Sequence, residues 1–484
     1  MRNRSLKKNA ALNVIKSALS VIFPLITYPY AFRILGASNI GKVDYSLSIV
    51  SYFTSIAALG VSSYAVRECS KVRDNRKEIN TLASQLFTIN VFSTLAAYLA
   101  LFVIVLAVPK FHPYSVLIGI LSISIIFTTL GIDWINTVYE DFLFITLRSI
   151  AAHIISLFLL FIIVRNKGDY YQYAILSVLN NVIIGISNWI YCRRYVKIRL
   201  TKNTNIKKHL SPILFLFANN IATSIYVSSD TTMLGWMSGD YYVGIYSIAV
   251  KIYNVVKNII VAIYSVAIPR ISYYIGQKDF DSLEKTYTKI FSSVTLILIP
   301  AAAGIIGISP EIIMFMGGEE YTESVITLQI LSIALVGAIF GGMVTYALNI
   351  PLGREKVNFK ATIISAVINV GLNVVLIPIL KQNGAAITTA ISEFFVFFFC
   401  VSKFDSITEY IDTRMLRKNI IDAVVGAISI ILIAVMIHHT DLHFMIRLLI
   451  IFMLSCFTYL VELILLKNNI ALEEVQKIRS RFRR

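Results

Sequence analysis

The sequence predicts an all-α integral membrane protein of about fourteen transmembrane helices, and three observations predict it. Its 484 residues are 57% hydrophobic and only 15% charged, where an ordinary soluble chain carries about 25% charged residues. Apolar stretches of roughly twenty residues, long enough to cross a bilayer, recur from end to end. The basic residues between them concentrate on alternate loops, so the net charge of +17 reads as membrane topology rather than nucleic-acid binding.

The spans fall, within a few residues, at 10–33, 41–66, 81–107, 114–135, 142–164, 171–192, 211–236, 242–268, 290–308, 323–348, 359–379, 385–402, 419–437 and 443–466. Arg2, Arg4, Lys7 and Lys8 precede the first. Arg67, Lys71, Arg73, Arg76 and Lys77 follow the second, and Arg193, Arg194, Lys197, Arg199, Lys202, Lys207 and Lys208 follow the sixth. The opposite loops hold only Lys110, Arg165, Lys167 and Lys381, besides Arg33 and Lys42 at span ends. This asymmetry places both termini in the cytoplasm. The first apolar stretch carries Lys16 and is too long for a signal-peptide core, so it is expected to remain as a span. Cys69, Cys192, Cys400 and Cys456 have no metal-ligand or CxxC spacing, which argues against metal and redox chemistry.

In chain order, the first span places Lys16, Ser20, Pro24 and Thr27 on one face, and Pro24 predicts a kink. The second carries Asp44, Ser48, Ser51 and Ser55 on one face. The fourth ends in Gly131-Ile132-Asp133-Trp134, and Arg148 lies about two turns into the fifth, where a charge is costly unless it faces protein or water. His153, in line with Ser149 and Ser156, reads as a hydrogen-bonded interior group rather than a proton relay. In the seventh span Asn219, Thr223, Tyr226 and Asp230 share a face, and in the eighth Ser247, Lys251, Asn254 and Asn258 do the same. Two such helices suit a wet cavity inside a membrane.

Residues 270–289 read as a short surface helix, and 309–321, with Glu311, Glu319 and Glu320, as a solvated acidic outer loop. The eleventh span aligns Thr362, Ser365, Asn369 and Asn373, and the twelfth carries Thr389 and Glu393 one turn apart. The last two spans are more uniformly apolar, with Asp422 and Arg447 near their ends and Glu462 late in the second. The basic tail from Lys467 is expected along the inner membrane face. Gly36 with Gly235, Tyr45 with Tyr246 and Arg67 with Arg270 are 199, 201 and 203 residues apart. A weak repeat of about two hundred residues is the trace left by a duplicated transporter half.

These pieces resemble the bacterial polysaccharide-unit (O-antigen/capsule, Wzx-type) flippases of the multidrug/oligosaccharidyl-lipid/polysaccharide exporter superfamily. The matching residues are Arg33-Ile-Leu-Gly36, Ile56-Ala-Ala-Leu-Gly60 to Arg67-Glu68, Asp133-Trp134 with Glu140-Asp141-Phe142, and Arg148. In the second half they are Asp230-Thr-Thr-Met-Leu-Gly235, Val243-Gly-Ile-Tyr-Ser247, Pro269-Arg270, Pro351-Leu-Gly-Arg-Glu-Lys356, and Gly384-Ala-Ala with Glu393. The resemblance implies two pseudo-symmetric six-helix lobes of the multidrug-exporter type, residues 1–195 and 210–403. A basic cytoplasmic linker at 196–209 joins them, and two further helices with a basic tail occupy 404–484. It implies a flippase that works by alternating access in the bacterial cytoplasmic membrane. The implied cargo is an oligosaccharide repeat unit on undecaprenyl pyrophosphate, bound for capsule, exopolysaccharide or O-antigen synthesis.

Such a cargo needs cations for its phosphates and hydrogen-bonding groups for its sugars, because neither crosses apolar surroundings alone. The cavity candidates are Lys16, Arg33, Arg148, Asn219, Tyr226, Lys251, Asn254, Lys257 and Asn369. Arg33 is equally placed to snorkel to the interface, and Lys251 and Lys257 to form structural ion pairs. Asp44, Asp133, Asp230 and Glu393 are candidates for ion coupling or for bonds between lobes, and Arg67 and Arg270 for a cytoplasmic portal. No P-loop is present, so ATP is not expected to drive transport. A proton or sodium ion stays open as the coupling ion, and no other cofactor is expected. The expected partners are the bilayer, the lipid-linked oligosaccharide and the polymerase of its pathway, around a functional monomer. Three rivals remain: a multidrug antiporter of the same superfamily, a lipid II flippase, and, in another class, a membrane polysaccharide polymerase. The antiporter is expected to keep acids in its cavity, and the polymerase to need a sizeable outer loop with a catalytic constellation.

Overall fold

The computed structural model describes residues 6–473 and 476, with side chains from Ile22 onward. All regular structure among the described residues is helical. The chain divides into two compact units, residues 1–244 and 245–484.

The first unit contains α1 (Leu6–Ala58), α2 (Val61–Lys71), α3 (Arg76–Ala107), α4 (Ser115–Leu130), α5 (Asp133–Val138), α6 (Phe142–Ile163), α7 (Tyr170–Cys192) and α8 (Ile206–Met237). The long helix α9 (Asp240–Ser265) begins there and runs into the second unit. That unit continues with α10 (Ile268–Gln277), α11 (Phe280–Gly317), α12 (Ser324–Gly342), α13 (Glu355–Val401), α14 (Thr413–His438) and α15 (Phe444–Leu465). Within the first unit α1 packs against α3, α4, α6 and α8, and α7 covers α4 and α6. Within the second, α12 lies on α13, while α14 and α15 pack against each other and against α11.

Among the described residues, twelve helical runs are long and apolar enough to cross a membrane. Two of these are broken internally, α1 at Gly36 (φ 74°) and α13 at Lys381 (φ 52°). Each therefore supplies two of the expected spans, which brings the twelve to fourteen. At Gly36 the left-handed backbone suits a residue without a Cβ, and this accounts for the glycine in the Arg33-Ile-Leu-Gly36 motif.

Local sequence explains where the helices start. Asn75 caps α3 by accepting from the amides of Lys77 (3.2 Å) and Glu78 (3.3 Å). Asp141 caps α6, Asp279 caps α11, and Asp412 caps α14. Each satisfies amides that a first turn leaves without partners. The faces are inverted relative to a soluble protein. On α3, Phe92, Leu95, Leu99, Phe102 and Leu106 are exposed at steps of three and four, whereas Ile79, Ala83, Leu86 and Ala97 are buried. An apolar stripe on the outside is the mark of a helix solvated by lipid. The chain is a multi-pass membrane protein.

Three expectations change. Residues 309–321 are not simply a solvated loop: α11 continues to Gly317, and Glu311 is only 1% exposed. Its Oε2 lies 3.0 Å from His438 Nε2 and its Oε1 3.3 Å from Arg447 Nε. The sequence hid this because the two partners arrive from α14 and α15, more than a hundred residues later. Those last two spans are likewise not uniformly apolar. Asn468 donates to Asn419 (2.8 Å) and Asp422 (2.7 Å), and Ser429 donates to Glu462. His153 is half-buried and packs its ring on Phe23, with centroids 4.9 Å apart. The surface helix expected in 270–289 is α10.

Candidate functional site

Three polar groupings stand out within the apolar helices. The first is a seam between α8 and the second limb of α1. Ser55 and Ser224 hydroxyls lie 2.5 Å apart, Ser51 and Ser228 2.9 Å, and Thr232 donates to Ser48 at 2.8 Å. Tyr52 OH is 3.1 Å from the Thr232 hydroxyl. The two helices run antiparallel, so the pairs follow one another like rungs. Further along, helix approach replaces hydrogen bonds. A Cβ on Gly235 would meet the Tyr45 ring, and past the turn into α9 one on Gly244 would meet the Ala37 carbonyl. The alignment of Ser48, Ser51 and Ser55 was legible in the sequence. Their partners Ser224, Ser228 and Thr232 were overlooked, although steps of four give them a face of their own beside the Asn219 stripe.

The second grouping surrounds Arg148 on α6. Its guanidinium is buried, and Nη2 lies 2.9 Å from Asp133 Oδ1. Asn188 of α7 donates to the same oxygen at 2.8 Å and to the Gly131 carbonyl, and accepts from Asn136. Asp133 is placed here because the chain turns between α4 and α5 through Ile132, whose φ is 30°. Asp141 then accepts from Tyr191 (2.7 Å) and Tyr195, and Glu140 pairs with Arg73 at 3.0 Å. Burial and the hydrogen bond to Asp141 together push the Tyr195 hydroxyl above the usual tyrosine range. The whole Asp133 to Arg148 motif therefore forms one packed corner. Asn188 at its centre was absent from the sequence candidates. Nothing distinguished it from Asn180 and Asn181 on the same helix.

The third grouping lies in the second unit. Lys257 of α9 pairs with Glu393 of α13 at 3.0 Å, and Tyr253 OH donates to the same carboxylate at 3.2 Å. Lys257 also donates to Tyr253 OH at 3.2 Å. Nearby on α13, Thr388 donates to Asn373 (2.6 Å), which donates to Asn369 (3.1 Å), all three being buried.

The remaining candidates separate by exposure. Asn219 and Asn254 are exposed, Tyr226 and Lys251 half-buried, and Asp230 buried at 5%. Asp44 is half-buried on the seam-bearing limb of α1, and Arg33 is exposed just before the Gly36 break. Arg67 is exposed and pairs with Glu68 at 3.0 Å; Arg270 is exposed and donates to Tyr274 at 2.9 Å. Lys16 lies outside the residues whose side chains are described, as do Arg2 and Arg4. The geometry thus brings together Arg148 with Asp133 and Lys257 with Glu393. Among the described residues, no group of three or more His, Cys, Asp or Glu side chains is arranged to hold a metal ion.

A family model described as polysaccharide biosynthesis protein matches residues 6–275, more than half of the chain. The chain belongs to that family. A second model, MatE, matches residues 216–375. Among the relatives of this family member is an Escherichia coli K12 protein named "Putative O-antigen transporter", 23% identical over 407 residues, covering 80% of this chain and 94% of the relative. Another is the Staphylococcus aureus capsular polysaccharide biosynthesis protein CapF, 24% identical over 400 residues, covering 80% and 96%. Among solved structures, the lipid II flippase MurJ in an inward closed conformation superposes with a TM-score of 0.77 at 15% identity, covering 94% of this chain and 99% of MurJ. The fold is therefore that of the exporter superfamily to which the sequence motifs pointed.

Proposed function

We propose that this protein flips undecaprenyl-pyrophosphate-linked oligosaccharide repeat units from the inner to the outer leaflet of a bacterial cytoplasmic membrane, for capsule, exopolysaccharide or O-antigen synthesis. The observation that carries the reading is the family match over residues 6–275. The helices supply what that cargo needs. Asn219 and Thr223 on α8, and Asn254 and Asn258 on α9, are exposed within candidate spans. Amides and hydroxyls facing lipid would be costly, so each of these faces belongs where water reaches it and where it can bond sugar hydroxyls. Lys251, on α9 near Asn254, is the cation proposed to meet phosphate. Lys257 and Arg148 already answer Glu393 and Asp133, so their first task is positional.

In this reading, residues 1–195 and 210–403 act as the two lobes of an alternating-access cycle, and the seam between α1 and α8, inside the first compact unit, opens during it. Neutral hydroxyl pairs suit such a seam, because each contributes only about 0.6 kcal/mol inside a membrane protein. A row of them closes a path without locking it. Both termini lie in the cytoplasm, with Arg67 and Arg270 at the portal. Transport draws on a proton or sodium gradient rather than ATP, and the protein works as a monomer beside the polymerase of its pathway. Asp44 and Asp230 are the acids proposed for ion coupling.

The MatE match favours one rival, export of organic cations. That activity calls for an acid able to receive the cation, a role that Glu393 does not suit because Lys257 and Tyr253 hold it. The test is complementation of a strain lacking its polysaccharide flippase, scored for surface polymer and accumulated lipid-linked units. Restored polymer with cleared intermediates supports the flippase. Cationic-dye export without polymer would move the assignment to the antiporter.

A further inference from the structure

The stretch after α7, expected to be a plain linker, is an ordered strap. Lys197 N donates to Asn80 Oδ1 (2.8 Å), Arg199 N to Ser84 Oγ (3.1 Å) and Thr201 N to Thr88 Oγ1 (3.1 Å). Gln85 closes the run by donating to the Asn203 carbonyl at 3.1 Å. Two residues of extended chain advance about 6.6 Å and four residues of helix about 6 Å. Alternate strap amides therefore stay in register with every fourth side chain of α3. The strap fixes its own side chains in space.

Where the strap leaves α7 it borders a cavity of about 330 Å³, lined by Ile132, Trp189, Cys192, Val196 and Ile198 together with Arg193, Lys197 and Arg199. The floor is apolar: Cys192 and Val196 are buried, and Trp189 packs at a tilt against Phe87 with centroids 5.2 Å apart. Arg193, Lys197 and Arg199 are exposed, and among the described residues none has an ion pair or a side-chain hydrogen bond. The two carboxylates whose charges reach Cys192 bond other groups, Asp133 to Arg148 and Asn188, and Asp141 to Tyr191 and Tyr195. Beside the cavity, Ile190 (63% exposed) and Leu200 (67% exposed) present aliphatic surface outward. Three uncommitted cations over an apolar floor, next to exposed aliphatic side chains, match a ligand that is anionic at one end and aliphatic at the other.

We propose that this cavity binds the phosphate headgroup of an anionic membrane phospholipid. Arg193, Lys197 and Arg199 hold the phosphate, and the acyl chains lie along Ile190 and Leu200. The site rests on the membrane reading of the chain and is independent of the cargo, so it stands or falls separately from the flippase assignment.

The test uses the purified full chain in a neutral detergent, titrated with phosphatidylglycerol or phosphatidylcholine and followed by native mass spectrometry and thermal unfolding. Phosphatidylglycerol is expected to bind and raise the melting temperature. Each cation removed should weaken binding roughly fivefold, so R193Q/K197Q/R199Q should weaken it on the order of a hundredfold. The variant K285Q/K356Q/K360Q removes three exposed charges elsewhere and should bind like the wild type. The strap is held by backbone amides, so the triple glutamine variant should fold, which its melting temperature without lipid checks. Equal binding by both variants, or equal binding of phosphatidylcholine, would overturn the proposal. So would full protection by inorganic phosphate or pyrophosphate, which would make the ligand a free anion.

Discussion

Replacing Asp133 tests whether the Arg148 corner is built as an ion pair. Arg148's side chain is 4% exposed and Asp133's is 55% exposed, at 2.9 Å. At an effective dielectric of about 20, two unit charges at that distance attract by roughly 6 kcal/mol, an upper bound before desolvation is counted. Removing one partner of a fully buried pair costs about 3–5 kcal/mol. Because water reaches half of Asp133, D133N is expected to cost about 2 kcal/mol, mostly from stranding the guanidinium. R148M leaves a carboxylate that water can serve, so about 1 kcal/mol is expected. The double variant should resemble R148M alone, giving a coupling of about 2 kcal/mol. Unfolding by sodium dodecyl sulfate in mixed micelles measures all four proteins. Additive losses, with a coupling below about 0.5 kcal/mol, would refute the argument. Transport by the folded double variant then asks a separate question. If Arg148 also meets the pyrophosphate, that variant is stable but inactive.

Three other outcomes are expected. Cysteines at Ser51 and Ser228, whose hydroxyls are 2.9 Å apart, should crosslink on oxidation and stop transport until reduced; undiminished transport after complete crosslinking would mean that the seam does not open. Lys251→Ala should reduce transport at unchanged membrane abundance, whereas an equal fall in both would make the residue structural. E311Q should destabilise the protein by about 1–3 kcal/mol, below the fully buried figure because His438 and Arg447 remain partly hydrated. A melting curve that matches the wild type would show that Glu311 does not tie α14 and α15 to α11.

The spans were legible because lipid demands length and apolar content, and both are local properties of sequence. Even the breaks at Gly36 and Lys381 fell in the gaps between expected spans. What periodicity could not reveal was which polar stripe faces which. Asn219 and Ser224 lie on adjacent faces of α8, and only the position of α1 decides that Ser224 is covered while Asn219 is exposed. The same blindness turned Glu311 into a loop acid, since its partners follow it by 127 and 136 residues.

The charged residues within the spans therefore divide by partner rather than by depth. Arg148 and Lys257 looked like substrate cations because each sits far inside an apolar stretch. Each instead faces a carboxylate from a neighbouring helix in its own unit, with an asparagine or tyrosine sharing the same oxygen. An arrangement of that kind holds a helix in register and leaves little charge for a passing diphosphate. Exposed amides such as Asn219 and Asn254 make weaker individual bonds, and that suits a carrier. A cargo that must be released on the far side is better held by many exchangeable hydrogen bonds than by one desolvated ion pair, so the asparagine faces of α8 and α9 are where substitutions should change transport without changing stability.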